Sequence, residues 1–240
     1  GATTAAITVN NTDGTCSANL SNRQGKNLVI NGAFLVSQRG VSSTTNGYGT
    51  VDRFKVNYGG TTVAPTQSQV DIASGTTPYS LGFRKALRVT NADQSSGAGA
   101  GDSTQIQTRI EARNIANSGW NYTSTSSFIT FSFWVKSSVA QNFYGYIIAD
   151  DGTDQNYSFE TGSLSADTWT KVTKTIPGNS NLQFDNNNGV GFKMHITPFL
   201  GTDFTNSSVS LNSWYAYSSG IRTPDHTSTW YTTNNATFEI

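Results

Sequence analysis

Residues Asn27 to Phe54 read NLVINGAFLVSQRGVSSTTNGYGTVDRF. A short apolar run enters Asn31-Gly32, a second apolar run reaches Val36, and a polar loop carrying Gly40, Gly47 and Gly49 leads to Asp52-Arg53-Phe54. Asn-Gly favours tight turns because Gly takes a positive φ without a steric penalty. The stretch therefore predicts β structure over Leu28 to Val36, with a further strand starting at Arg53. Outward from it the same texture continues. Alternating or β-branched runs predict strands at Arg53 to Tyr58, Gln67 to Ile72, Arg84 to Thr90, Thr104 to Ile110, Phe128 to Lys136, Phe143 to Ala149, Tyr157 to Glu160, Trp169 to Ile176, Gly191 to Phe199 and Thr237 to Ile240. Upstream, Ala6 to Val9 and Cys16 to Leu20 flank Asn11-Thr12-Asp13-Gly14 as a small hairpin. Helix signals are confined to Ile106 to Asn117, which predicts a turn or two before Ser118-Gly119. Asn91 to Asp102, rich in small residues, reads as a flexible loop. The expected fold is all-β: a two-sheet sandwich preceded by a short N-terminal β element.

The order of these pieces resembles the jelly-roll domains of bacteriophage tail-fibre and other virion structural proteins. Asn31-Gly32 followed by Asp52-Arg53-Phe54, the strand Phe128 to Ser138, the segment Thr168-Trp169-Thr170-Lys171-Val172 and the closing Ala236-Thr237-Phe238-Glu239-Ile240 carry the resemblance, which spans roughly Asn27 to Ile240. Such domains are similar to the carbohydrate-binding modules appended to polysaccharide-degrading enzymes. The resemblance implies a jelly roll that serves adhesion, on a virion, in homo-oligomers of which a trimer is favoured. It also implies a structural calcium held by an acidic residue just after Asn-Gly-x-Phe. Here Leu35 follows Asn31-Gly32-Ala33-Phe34, so that calcium has no support and no cofactor is expected.

At 240 residues the chain suits one main domain over 27–240, with residues 1–26 as a hairpin or linker. It begins without Met and stops inside a strand pattern, which leads us to expect a segment of a longer polypeptide continuing past Ile240. Charged residues make up 12% of the chain, and 15 basic side chains balance 15 acidic ones. With no basic stripe, electrostatic capture of nucleic acid or anionic lipid is not expected. No apolar run is long enough to span a bilayer, and a single cysteine, Cys16, provides no internal disulfide framework. A neutral, hydroxyl- and amide-rich surface suits a sugar partner, and it equally suits packing into an assembly.

Two aromatic groups are candidate glycan contacts. In Phe128 to Lys136, alternation sends Ile129, Phe131, Phe133 and Val135 to the core and Trp134 to the opposite face. On the following strand Tyr144 and Tyr146 share a face. If these two strands pair, Trp134, Tyr144 and Tyr146 line one groove, where pyranose C–H faces stack on rings and amides bond the hydroxyls. The second group is Trp214, Tyr215, Tyr217, Trp230 and Tyr231 in loop-like sequence. Trp120 and Tyr122 stand similarly. Each group also reads as packing, loop anchoring or a subunit contact.

Other residues point away from chemistry. Asp150, Asp151 and Asp154 crowd a Gly turn but lack the glutamate and helices of a calcium loop, so a solvated turn is expected. His195 and His226 lack metal-ligand spacing, and Glu111, Glu160 and Glu239 form no evident facing pair for glycoside hydrolysis. No enzymatic activity is expected. Asp52 and Arg53 are expected to pair at a corner of the sandwich. The expected role is attachment of a phage particle to a cell-surface polysaccharide, beside other virion proteins. Two alternatives stand with it: a capsid or tail decoration protein that binds no sugar, and an accessory binding domain of a larger depolymerase.

Overall fold

The computed structural model describes Ile7–Val9, Cys16–Ala18 and residues 27–240. In chain order the elements are β1 (Ile7–Val9), β2 (Cys16–Ala18), β3 (Ser42–Ser43), β4 (Phe54–Gly59), β5 (Thr66–Asp71), α1 (Thr77–Ser80), β6 (Lys85–Thr90), β7 (Ser103–Glu111) and α2 (Ala112–Ala116). They continue with β8 (Phe128–Ser137), β9 (Asn142–Ala149), β10 (Gln155–Ser163), β11 (Thr170–Pro177), β12 (Val190–Leu200), β13 (Trp214–Ala216), α3 (Thr229–Thr232) and β14 (Thr237–Glu239). β1 and β2 form an antiparallel pair with Ile7 opposite Ala18. The turn expected between them lies outside the described residues.

The remaining strands build a β-sandwich of jelly-roll type from two six-stranded antiparallel sheets. The first sheet runs β13-β10-β9-β12-β7-β4 and the second β11-β8-β14-β6-β5-β3. Alternation decides which side chains meet between them. Val56, Ile106, Ile147, Phe159 and Phe192 from the first sheet pack against Leu87, Val89, Val135, Val172 and Phe238 from the second. Phe143 meets Phe238 edge-on at 4.8 Å across this layer.

Four expectations are corrected. Leu28 to Val36 is not a strand. Asn31 Nδ2 donates to the carbonyls of Val36 and Asp52, both at 2.9 Å, while its Oδ1 accepts from Val36 N at 3.1 Å. Asn31 and Phe34 take φ of 58° and 56°, which bends the backbone out of any ladder. Phe34 alone of the second apolar run is buried, against Phe54 at 4.8 Å. Second, Asp52 pairs with Arg39 at 3.1 Å rather than with Arg53, whose own φ is 71°. Third, the turn or two of helix expected within Ile106 to Asn117 is confined to α2, because the strand expected at Thr104 to Ile110 runs on to Glu111. Fourth, residues 91–102 are held down at one end: Asn91 and Gln94 are buried, and Asn91 Nδ2 donates to the carbonyls of Trp230 and Tyr231.

Candidate functional site

The outer face of the first sheet is polar, which strand alternation explains. β7 reads Gln105, Gln107, Arg109 outward and Ile106, Ile110 inward; β12 sends Lys193, His195 and Thr197 outward against inward Phe192, Met194 and Ile196. The registers align these into a row across five strands. Lys55 lies opposite Gln107, Gln107 opposite His195, His195 opposite Tyr146, and Tyr146 opposite Ser158. A second row sets Arg109 beside Lys193, Ile148 and Asn156. The middle members of these rows, with Gln105, Asn57, Tyr217 and Arg222, enclose an open cleft of about 260 Å³, and Lys55, Asn156 and Ser158 stand at the ends of the rows outside its lining.

The floor of the cleft is a fixed hydrogen-bond network. Tyr146 stacks on His195 with ring centroids 4.2 Å apart and planes 9° from parallel. Tyr146 donates its hydroxyl to Gln105 Oε1 at 2.7 Å, and His195 Nδ1 lies 3.1 Å from the same oxygen. His195 Nε2 lies 2.7 Å from Gln107 Nε2, an obligate donor, so Nε2 accepts and the proton sits on Nδ1. Burial, then the charges of Arg222, Lys55, Lys193 and Arg109, hold the imidazole well below its ordinary pKa of 6.5. His195 is therefore neutral with a single tautomer. Burial likewise raises the Tyr146 hydroxyl, with Arg222 acting against the shift.

The wall comes from residues 201–225. Leu200, Phe204 and Tyr217 pack on Tyr146 and Ile148. Asn156 Nδ2 donates to the Arg222 carbonyl at 3.0 Å, Ser158 Oγ donates to the same atom, and Tyr215 hydroxyl reaches the carbonyls of Ile221 and Arg222 at 2.9 and 3.0 Å. These bonds fix the backbone at 222, and its guanidinium lies 4.7 Å over the Phe204 ring beside the cleft. Gln107 Oε1 and Arg222 Nε have no hydrogen-bond partner among the described residues.

The anticipated aromatic residues are distributed differently from the expectation. β8 and β9 belong to different sheets, so Trp134 is separated from Tyr144 and Tyr146 and the groove of three rings does not form. Trp134 instead projects from the second sheet, where its strand pairs with β11 and Trp134 stands opposite Lys171. Tyr146 and Tyr217 line the cleft. Tyr144 stands on the same face, 5.0 Å from the His226 ring. Tyr215 anchors the wall from below. Trp214 turns inward, donates Nε1 to the Pro177 carbonyl at 2.8 Å and packs on Tyr157 and Phe192. Trp230 and Tyr231 are fully buried, with Trp230 Nε1 donating to the Thr237 carbonyl at 3.1 Å and Tyr231 stacked on Phe199. Trp230 has no face to offer a ligand. Trp120 is buried beside Tyr122 and Phe192.

Asn57, Gln105, Gln107, Arg109, Lys193 and Arg222 are not aromatic and carry no motif in the sequence, and His195 is marked there only by its lack of metal-ligand spacing. Their signal lay in the polar face of the strands expected at Thr104 to Ile110 and Gly191 to Phe199, but only the registers of β4, β7, β12 and β9 bring those polar faces side by side. Among the described residues no group of three or more His, Cys, Asp or Glu is placed to hold a metal ion. Asp150 is engaged by Lys193, and Asp151 accepts from Asp185 N at 2.5 Å. A larger cavity of about 820 Å³ opens between the sheets, lined by Phe131, Phe133, Ile147, Phe192 and Met194. It runs from the sandwich interior to the rim of the second sheet, where Trp134, Thr130, Ser132 and Lys171 also line it.

No family model and no curated protein matches this sequence. Similar solved structures include the enzymatically active domain of tailspike protein 4 from bacteriophage CBA120, at 12% identity over 73% of this chain and 20% of that one, TM-score 0.42. A CBM4 structure is 13% identical over 88% of this chain and 94% of its own, TM-score 0.40. The N-terminal cellulose-binding domain of Cellulomonas fimi β-1,4-glucanase C is 12% identical over 75% and 90%, TM-score 0.36. The chain thus spans a fifth of the tailspike structure.

Proposed function

We propose that the domain binds a carbohydrate in the cleft on the outer face of its first sheet. One observation carries this reading: amides, ring side chains and hydroxyls from four strands and the 201–225 segment converge on a shallow open cleft whose floor is hydrogen-bonded and whose Gln107 Oε1 and Arg222 Nε lack partners among the described residues. Sugars are held by such arrays of amide and guanidinium groups, with an aromatic ring against a pyranose face. Tyr217 supplies that ring, since Tyr146 is already covered by His195. No carboxylate among the described residues lines the cleft, so the proposal is binding without glycoside hydrolysis, which needs two facing carboxyl groups. The motif order that resembles phage tail-fibre domains supports display on a phage particle, where many copies would raise the avidity for a host cell-surface polysaccharide. A structural role in particle assembly is the second reading, favoured by the half-buried Ile129, Phe131 and Phe133 at the mouth of the gap between the sheets.

A glycan-array screen followed by calorimetry tests the proposal. Tyr217→Ala and Asn57→Ala are each expected to weaken binding by about 1 kcal/mol, roughly fivefold. Trp134→Ala, on the other sheet, is expected to leave affinity unchanged. Loss of binding in Trp134→Ala alone would move the site to the second sheet, and no binding by the folded protein to any glycan would leave the assembly role standing.

A further inference from the structure

The cleft is cationic in a chain that is otherwise balanced. Of the 15 Lys and Arg residues in the sequence, Arg109, Lys193 and Arg222 line this one cleft, and Lys55 adjoins it on β4, opposite Gln107. Asp150 pairs with Lys193 from outside the lining. Lys55, Arg109 and Arg222 have no carboxylate within ion-pair distance among the described residues. Like charges held together repel one another. Burial, then Arg109 and Lys193, push the Lys55 ammonium below its ordinary pKa, and all four cations act on His195. A neutral sugar would leave that repulsion in place, whereas an anion would relieve it.

We propose, resting on the carbohydrate reading above, that the ligand is an acidic polysaccharide whose sugar carboxylate sits between Arg109 and Arg222, with Lys55 adjoining, while neighbouring hydroxyls meet Gln107, Asn57 and Tyr217. A carboxylate fits better than a bare charge requirement would suggest. Guanidinium groups present paired N–H donors that match its two oxygens, and Arg222 Nε is a donor still without a partner among the described residues. The cleft has about 260 Å³ and is open, so a chain can lie across the sheet and place one acidic residue at this point.

The test uses the full chain against oligogalacturonate, oligoglucuronate and oligomannuronate, their carboxyl-reduced counterparts, neutral cello- and xylo-oligosaccharides, and dextran sulfate. The expected result is binding of at least one uronate that falls tenfold or more on carboxyl reduction and weakens with added salt. Arg109→Gln, at an exposed position, and Lys55→Gln, which relieves repulsion, should each lower uronate affinity about tenfold while melting temperature is kept. Equal binding of neutral and acidic sugars would overturn the acidic ligand and leave carbohydrate binding intact. Dextran sulfate binding as tightly as the uronates would overturn the carboxylate in favour of unspecific polyanion capture. No binding to any sugar would overturn both this inference and the reading it rests on.

Discussion

At the scale of single residues, His195 sets the pH behaviour of the fold. Its imidazole is held neutral in the native state, far below the ordinary 6.5, mainly by burial. Below pH 6.5 the unfolded chain takes up a proton that the native state refuses, so this contribution is fully present above 6.5 and is lost as pH falls. The loss amounts to at most about 1.4 kcal/mol per pH unit for each such histidine. His226 is pushed down to about 3 by burial and bonds Thr223 Oγ1 through Nε2 at 3.0 Å. Part of its surface still meets water, so the larger effect is assigned to His195. Between pH 6.5 and 5 the stability gap between the wild type and His195→Gln should narrow by up to about 2 kcal/mol in urea melts. Parallel decline of the two proteins would show that His195 ionises freely in the native state.

At the scale of elements, the close approach of β9, β10 and β12 depends on Gly145. A Cβ there would stand 2.3 Å from the Phe159 ring and 2.6 Å from the His195 carbonyl. The ring is buried and the carbonyl is part of the ladder, so neither can withdraw cheaply. Gly145→Ala should cost about 1–3 kcal/mol and, by shifting the strand that carries His195, disturb the floor of the cleft; an unchanged urea midpoint would show that the sheet yields there. Strands β4 to β12 were largely legible, because one buried face imposes alternation on the sequence. The partner of each strand was not. Phe128 to Lys136 and Phe143 to Ala149 are neighbours in sequence, and neighbouring strands usually pair, yet residues 138–141 carry the chain from one sheet to the other. The groove of Trp134, Tyr144 and Tyr146 failed for that reason alone. Leu28 to Val36 misled differently: Ile30, Leu35 and Val36 look like strand residues but are 52%, 61% and 47% exposed, and the fold is set there by Asn31 side-chain bonds to backbone 5 and 21 positions away. Trp230 lay in a polar run with no local mark of what it would cover.

At the scale of the whole molecule, the second sheet is assembled from distant parts of the chain. β14 stands between β8 and β6, with Phe238 opposite Ser137 on one side and Val89 on the other. Ile240 continues the ladder by exchanging backbone bonds with Leu87, both at 3.0 Å. Glu239, nearly buried, receives Arg88 at 2.7 Å and Lys136 at 3.0 Å, which ties both flanking strands to the same carboxylate. Removing residues 237–240 should therefore abolish cooperative unfolding, as followed by near-ultraviolet circular dichroism, instead of merely lowering the midpoint. A truncated chain that still melts in one sharp transition would mean that β8 and β6 can close the gap themselves.

The central place of β14 also bears on how the protein is made. While a ribosome is still translating, everything up to residue 236 can emerge with the second sheet in two halves, and the facing edges of β8 and β6 then offer unpaired amides and carbonyls to any other nascent chain. Neighbouring polypeptides on one messenger are the nearest such strangers. Slow initiation, which spaces them apart, should raise the soluble yield more than any change to the surface of the finished molecule.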